Sequence, residues 1–241
     1  MNSTALAIRN EKEALRNPLS LALTILLPAG LLLVLGSIGG EDSETLNATF
    51  ITPGVALFGF VMVMFTSSML LARDRETALF ARLLTAPLRA SDFVLAYSLP
   101  ALMVASLQAA LVFGLGTLLG MNLEGSALLV VLVLVVMAVF YVALGVAAGA
   151  VLTVNATTGV YTAVLLLTIY GGAWFNLDDI GGPVKAVAGF LPFSHALDAM
   201  RAVICDGARF GDIAGDLAWV LAFTVGAVAV AVGAISRRMS E

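Results

Sequence analysis

Few side chains in this sequence could do acid–base or metal chemistry. The only histidine, His195, stands three residues before Asp198, so the two would share one face of a helix. Such a pair can hold a metal ion or exchange a proton. A capping and packing role is favoured, because no HExxH, GxSxG or Cys/His cluster accompanies the pair. The sequence therefore predicts no catalytic residue, no metal ligand and no cofactor site.

Other features narrow the function further. The chain lacks the GxxxxGK[ST] loop, so it cannot bind ATP through that motif. Its single cysteine, Cys205, excludes an intrachain disulfide and is interpreted as a small apolar packing residue. The net charge of −4 argues against a nucleic-acid partner.

Composition indicates which solvent surrounds the elements that carry these residues. Of 241 residues, 61% are hydrophobic and 12% are charged, and the mean hydropathy is +1.04. Soluble domains carry about 25% charged residues, so this chain has too little polar surface to cover a water-soluble globule. It is predicted to be a polytopic membrane protein and not a soluble enzyme.

Uncharged runs divide the chain into six predicted spans. Runs of 24, 28 and 31 residues end before Glu41, Arg73 and Glu124, and each accommodates one helix of about 20 residues. A run of 53 residues holds two spans, with the break placed at the polar cluster 153–159, and a run of 20 residues holds the last. We expect one transmembrane permease domain over residues 1–241, with spans at about 18–38, 53–72, 93–120, 126–152, 158–176 and 216–236.

The predicted fold class is all-α. Lipid supplies no hydrogen bonds to the backbone, so long apolar runs must be helical. The run 130–136 does not alternate apolar and polar residues as a membrane β-strand does. Gly145 and Gly149 form a GxxxG pattern, which indicates either a close helix contact or small residues scattered through an Ala/Gly-rich sequence.

Basic residues predict the orientation. Nine Lys and Arg residues lie on the side of the N-terminus and three on the other side, which accounts for all twelve. Cytoplasmic loops carry the positive excess, so both termini are expected in the cytoplasm.

Three segments are not predicted to span. Residues 4–16 mix apolar and charged side chains and are expected to form an interfacial helix. Residues 73–92 have apolar residues at helical spacing and are expected to form a short amphipathic helix ended by Pro87. Within the external segment 178–216, residues 184–204 are strongly apolar but interrupted by Gly189 and Pro192, which predicts an external re-entrant hairpin before the last span. Ser194 is expected to cap its second helix, and Asp198 and Arg201 are expected to pair with each other or with a neighbouring span.

At these last two segments the sequence resembles the type-2 ABC transporter permeases, the membrane subunits of exporters. One matching stretch is Arg73–Leu88, with Glu76–Thr77 where the family usually has Gly-Thr. The more specific stretch is Leu191–Arg201, followed by Gly207. The resemblance extends over the whole chain in span number, topology and length.

The resemblance implies a permease subunit of the plasma membrane that moves a drug, lipid or glycan-like substrate, using ATP hydrolysed by a separate ATPase subunit. It implies a homodimer or a heterodimer with a similar permease, in contact with membrane lipid. The implied ATPase-coupling loop contains Arg73, Arg75, Glu76, Thr77, Leu79, Leu83, Leu84 and Pro87. The implied external hairpin contains Gly189, Pro192, Ser194, His195, Asp198 and Arg201.

Two alternatives remain open from the residues alone. A six-span secondary transporter or channel would need buried ionisable groups or a polar filter, and a membrane-embedded enzyme would need polar catalytic pairs. The sequence places no charge in the middle of a span, although Gln108, Tyr141, Tyr161 and Tyr170 offer polar groups at mid-depth. This pattern favours an external energy source and an apolar or amphipathic substrate.

Overall fold

The computed structural model describes residues 3–39, 47–85, 88–173 and 189–240. Every regular element in these ranges is helical, which confirms the all-α prediction. The elements in chain order are α1 (Ser3–Leu15), α2 (Pro18–Gly39), α3 (Ala48–Arg75), α4 (Ala78–Leu84), α5 (Ala90–Leu118), α6 (Ala127–Val151), α7 (Val154–Thr168), a π-helical turn (Ile169–Ala173), α8 (Pro192–Asp206) and α9 (Phe210–Ser240).

Six of these elements are long and apolar enough to cross a membrane, as expected. They are α2, α3, α5, α6, α9 and the continuous stretch from α7 through the π-helical turn. The helix α1 forms in the segment predicted to lie at the interface, and Ile8 and Leu15 on it are exposed. Of the predicted hairpin, the structure describes the second helix, α8, whereas residues 174–188 lie outside the described ranges.

The break between α6 and α7 is shorter than the polar cluster 153–159 suggested. Thr153 caps α7 by accepting a hydrogen bond from the Ala156 amide, so the helix resumes at Val154 and residues 155–159 belong to it. A threonine at the N-cap offsets the loss of backbone hydrogen bonds at that terminus, which lets a single bend replace a loop.

The helix α3 is the centre of the bundle. Its most apolar window is 67% buried, against 22% for α2 and for α9, and it packs against α2, α5, α6, α7 and α8. One close approach is to α6, where a Cβ atom on Gly149 would lie 2.6 Å from the Ser68 carbonyl oxygen. Gly145 meets the Met64 backbone in the same way. The GxxxG pattern is therefore a close helix contact.

The polar side chains at mid-depth face other helices. Gln108 on α5 is fully buried against Gly59 of α3, and its amide has no hydrogen-bond partner among the described residues. The Tyr141 hydroxyl lies 3.1 Å from the Thr168 hydroxyl, between α6 and α7. The hydroxyl pair adds specificity to the pairing of α6 with α7 because lipid offers it no alternative partner. Tyr170, by contrast, is 57% exposed.

The two ends of the bundle are defined by contacts among the helix termini. Arg75 at the end of α3 contacts the end of α6, where Val151 lines a cavity together with Arg237 of α9, and α1 packs against the start of α5. Both chain termini therefore lie at one end, called the proximal end. The helix α8 lies at the other, distal end, where the Glu124 amide donates to the Ile204 carbonyl.

The contact between α6 and α3 predicts that adding a methyl group at Gly149 lowers stability more than adding one at Gly226. Gly149→Ala should lower the free energy of unfolding by about 1–3 kcal/mol, because the new methyl group overlaps the Ser68 carbonyl and the two helices must separate. Gly226→Ala on α9 has open space around it and should leave stability unchanged or slightly raised. Thermal unfolding in detergent measures both, and equal melting temperatures would contradict the packing.

Candidate functional site

The junction between α3 and α4 holds the densest polar network of the proximal end. Asp74, in the last turn of α3, is buried and forms a two-point ion pair with Arg9 of α1. The Tyr97 hydroxyl of α5 donates to the same carboxylate at 2.6 Å. Beside this ion pair the fully buried Asn10 donates to the Ala96 carbonyl at 3.1 Å. The junction therefore joins α1, α3 and α5.

The next residues of the junction join it to α6 and α7. Arg75 donates to the carbonyl oxygens of Gly149 at 2.5 Å and Leu152 at 2.9 Å, which satisfies the open C-terminus of α6. The Glu76 carboxylate accepts from the Val154 amide at 3.5 Å, at the N-terminus of α7. The Thr77 hydroxyl turns back to the Asp74 carbonyl at 2.6 Å.

The short helix α4 follows this junction and is anchored on one face. Phe80 and Leu83 are buried in the core of the bundle, and the Phe80 ring meets Phe93 of α5 edge-on. Arg82 is exposed, as are Glu76, Thr77 and Ala78. The side chain of Leu83, which the resemblance places in the ATPase-coupling loop, therefore packs against its own chain.

The remaining residues of the predicted ATPase-coupling loop are Arg73, Leu79, Leu84 and Pro87. Arg73 is exposed at the end of α3. Leu79 and Leu84 belong to α4, although their side chains lie outside the described part of the chain, as does Pro87. The helix ends at Leu84, with Thr85 as its C-cap.

At the distal end, α8 begins with Pro192 in its first turn and Leu191 as its N-cap. The expectation that Ser194 caps this helix is wrong. Proline is favoured in the first turn because it needs no amide partner there, so the helix begins at Pro192, three residues before the start that a Ser194 cap would give. The Ser194 hydroxyl donates to the Leu191 carbonyl at 2.9 Å instead. Gly207 ends the helix in the left-handed conformation, with φ at 62°.

His195 joins α8 to α9. Its Nδ1 atom lies 2.7 Å from the Asp216 carboxylate, and its Nε2 atom lies 2.9 Å from the Gly189 carbonyl. The histidine therefore fastens the start of α8, and Asp216 is the acidic partner that the sequence reading missed. Among the described residues no group of three or more His, Cys, Asp or Glu could hold a metal ion.

Arg201 holds α8 against α3 and against the end of the fifth span. Its guanidinium lies 3.7 Å from the centre of the Phe50 ring and donates to the carbonyls of Phe50 at 3.4 Å and Ala173 at 3.2 Å. Burial lowers the pKa of Arg201 to about 10, and the nearby Asp198 opposes that shift. The side chain stays charged at neutral pH, held by a ring face and backbone dipoles.

A model of the ABC-2 type transporter family matches residues 2–205 of this chain. The chain belongs to that family. No curated protein matches it. As a member, the protein is a permease component of an ABC transporter, and the family works with an ABC ATPase subunit.

Three residues of this permease that hold the proximal end together were missed from the sequence: Arg9, Asp74 and Tyr97. Asp74 stands inside the Arg-Asp-Arg stretch of the matched loop, so its position was visible. Its partners lie 65 residues earlier and 23 residues later, and no local pattern connects them. The hydrogen bond to Asp74 raises the pKa of Arg9 above its ordinary value.

The ion pair at the α3–α4 junction predicts that replacing Arg9 lowers the free energy of unfolding more than replacing Arg16 does. Arg9→Gln leaves the buried Asp74 without its cation and should lower the free energy of unfolding by about 2 kcal/mol. Arg16→Gln removes only an exposed pair with Glu13 at 4.0 Å and should cost less than about 1 kcal/mol. Denaturant or thermal unfolding of the purified permease measures both, and equal losses would show that Asp74 needs no cation.

Proposed function

We propose that this permease forms half of an ATP-driven export pathway for an apolar or amphipathic substrate, such as a drug, a lipid or a glycan-like molecule. In this proposal an ABC ATPase subunit docks on α4 from the cytoplasm. Two permeases, identical or similar, pair in the plasma membrane, with both termini in the cytoplasm.

The observation that carries the proposal is the composition of the α3–α4 junction. Residues 74–77 are consecutive, and among them they contact α1, α5, α6 and α7. A displacement of α4 by a partner therefore pulls on the proximal ends of four other helices through hydrogen bonds and an ion pair. A rigid junction of this kind suits a subunit that receives mechanical work from outside its own chain.

A substitution on the exposed part of α4 should weaken docking of the ATPase without disturbing the fold of the permease. Arg82→Glu should weaken co-purification of the ATPase roughly tenfold, because it reverses a charge on the exposed face while Phe80 and Leu83 stay anchored. Leu83→Asp is unsuitable as a test because it would bury a charge in the bundle.

The matched control is Arg209→Glu, which reverses an exposed charge at the distal end. It should leave ATPase recovery unchanged. The docking proposal fails if Arg82→Glu recovers as much ATPase from the membrane as the wild-type permease does.

The proposed role of α8 is an external lid held by Arg201, and the single cysteine reports on it. Cys205 is half-buried on α8, so a membrane-impermeant thiol reagent should label it slowly in intact cells. Arg201→Ala should speed labelling roughly tenfold by unseating the helix from Phe50. Burial raises the pKa of the Cys205 thiol and the Arg201 charge opposes this, so loss of that charge alone would slow labelling. A faster labelling rate in Arg201→Ala would therefore show that Cys205 has become more exposed.

Arg209→Ala is the control for this labelling and should not change the rate, since Arg209 is already exposed. Labelling that requires permeabilised cells would place the distal end in the cytoplasm and overturn the proposed orientation. An unchanged rate in Arg201→Ala would overturn the lid.

A further inference from the structure

A cavity of about 260 Å³ lies at the proximal end, between the turn that joins α1 to α2 and the facing sides of α3 and α5. It is separate from the exposed face of α4, and the polar network around Asp74 forms part of its wall. Neither Phe80 nor Leu83 lines it, so the anchored face of α4 does not close it.

The lining of this cavity changes from polar to apolar along the helix axes. Asn17, Ser20 and Arg73 line the part nearest the proximal end, and Phe65 and Val104 line the deeper part. Arg73 and Phe65 are eight residues apart on α3, which corresponds to about 12 Å at 1.5 Å per residue. A ligand that fills the cavity therefore needs a polar head at the proximal end and an apolar chain that points toward the bilayer centre.

Glu13 and Asp74 are the acidic side chains that line the mouth of the cavity, and Arg73 is the basic one. Asp74 is neutralised by Arg9, and Glu13 lies 4.0 Å from Arg16. Arg73 is exposed and has no acidic partner among the residues described. Asn17 accepts the Ser20 amide through its Oδ1 atom at 3.2 Å, which leaves its NH₂ group as a donor. A guanidinium and an amide donor at membrane-surface depth match the oxygens of a phosphate.

From this arrangement we propose that the cavity binds one anionic phospholipid of the surrounding membrane. Its phosphate meets Arg73 and Asn17, and one acyl chain lies against Phe65, Ala101 and Val104. The lipid would fill the wedge between α1, α3 and α5 beside the Arg9–Asp74 ion pair. The proposal depends neither on the transported substrate nor on the docking of an ATPase.

Photo-crosslinking with lipid probes tests the site. The full-length permease, in nanodiscs of zwitterionic lipid, is exposed to phosphatidylglycerol or phosphatidylcholine that carries a diazirine on the acyl chain. The phosphatidylglycerol probe should label peptides of α3 and α5 around Leu70 and Val104 about fivefold more than the phosphatidylcholine probe, the preference that one basic residue contributes near an anionic headgroup.

Two substitutions distinguish binding of the lipid headgroup from binding of its acyl chain. Arg73→Gln should abolish the fivefold preference but keep the basal labelling, because only the charge is lost. Ala101→Trp fills the deeper part and should suppress labelling by both probes. Arg237→Gln, an exposed arginine of the same end that does not line the cavity, is the matched control and should be labelled by both probes as the wild type is.

Three outcomes would overturn the proposal: equal labelling by the two probes, a preference that persists in Arg73→Gln, or cross-links that map away from α3 and α5. Arg73 is exposed, so its substitution does not threaten folding. If Ala101→Trp fails to fold, Val104→Phe provides the second chain-side variant.

Discussion

The structure depends on the contact between α3 and α6, where two helix backbones approach without intervening side chains. In lipid there is no hydrophobic force between apolar helices, so close van der Waals contact must hold them together. Gly145 and Gly149 permit that contact against the Met64 and Ser68 carbonyls. Because α3 also packs against α2, α5, α7 and α8, its position determines where the others can lie.

The two ends of α3 carry different kinds of polar contact. At the proximal end the contacts are an ion pair and charge-assisted hydrogen bonds, through Asp74, Arg75 and Glu76. At the distal end the Phe50 ring and carbonyl hold Arg201 without a carboxylate in direct contact on α3. The first arrangement is rigid and directional, which suits the transmission of force. The second holds α8 to α3 through one cation, while His195 and Asp216 join α8 to α9 separately.

The family match and the geometry answer different questions. Membership of the ABC-2 type transporters identifies the chain as a permease component that works with an ATPase. The geometry adds detail within it: Phe80 and Leu83 anchor α4 in the bundle, while Arg82 is exposed. A cavity lies beside the Arg9–Asp74 pair, away from the anchored face of α4.

The sequence alone determined the number of spans and the helical class, because bilayer thickness sets the length of an apolar run and lipid forbids unpaired backbone. It also indicated three segments that do not span, since charge and Gly–Pro interruptions are local properties. Only the tertiary structure decided the partners of individual side chains. Asp74 pairs with Arg9 and His195 with Asp216, and these choices depend on how each helix is rotated and packed. Ser194 failed as a cap for a related reason, because Pro192 had already set where α8 begins.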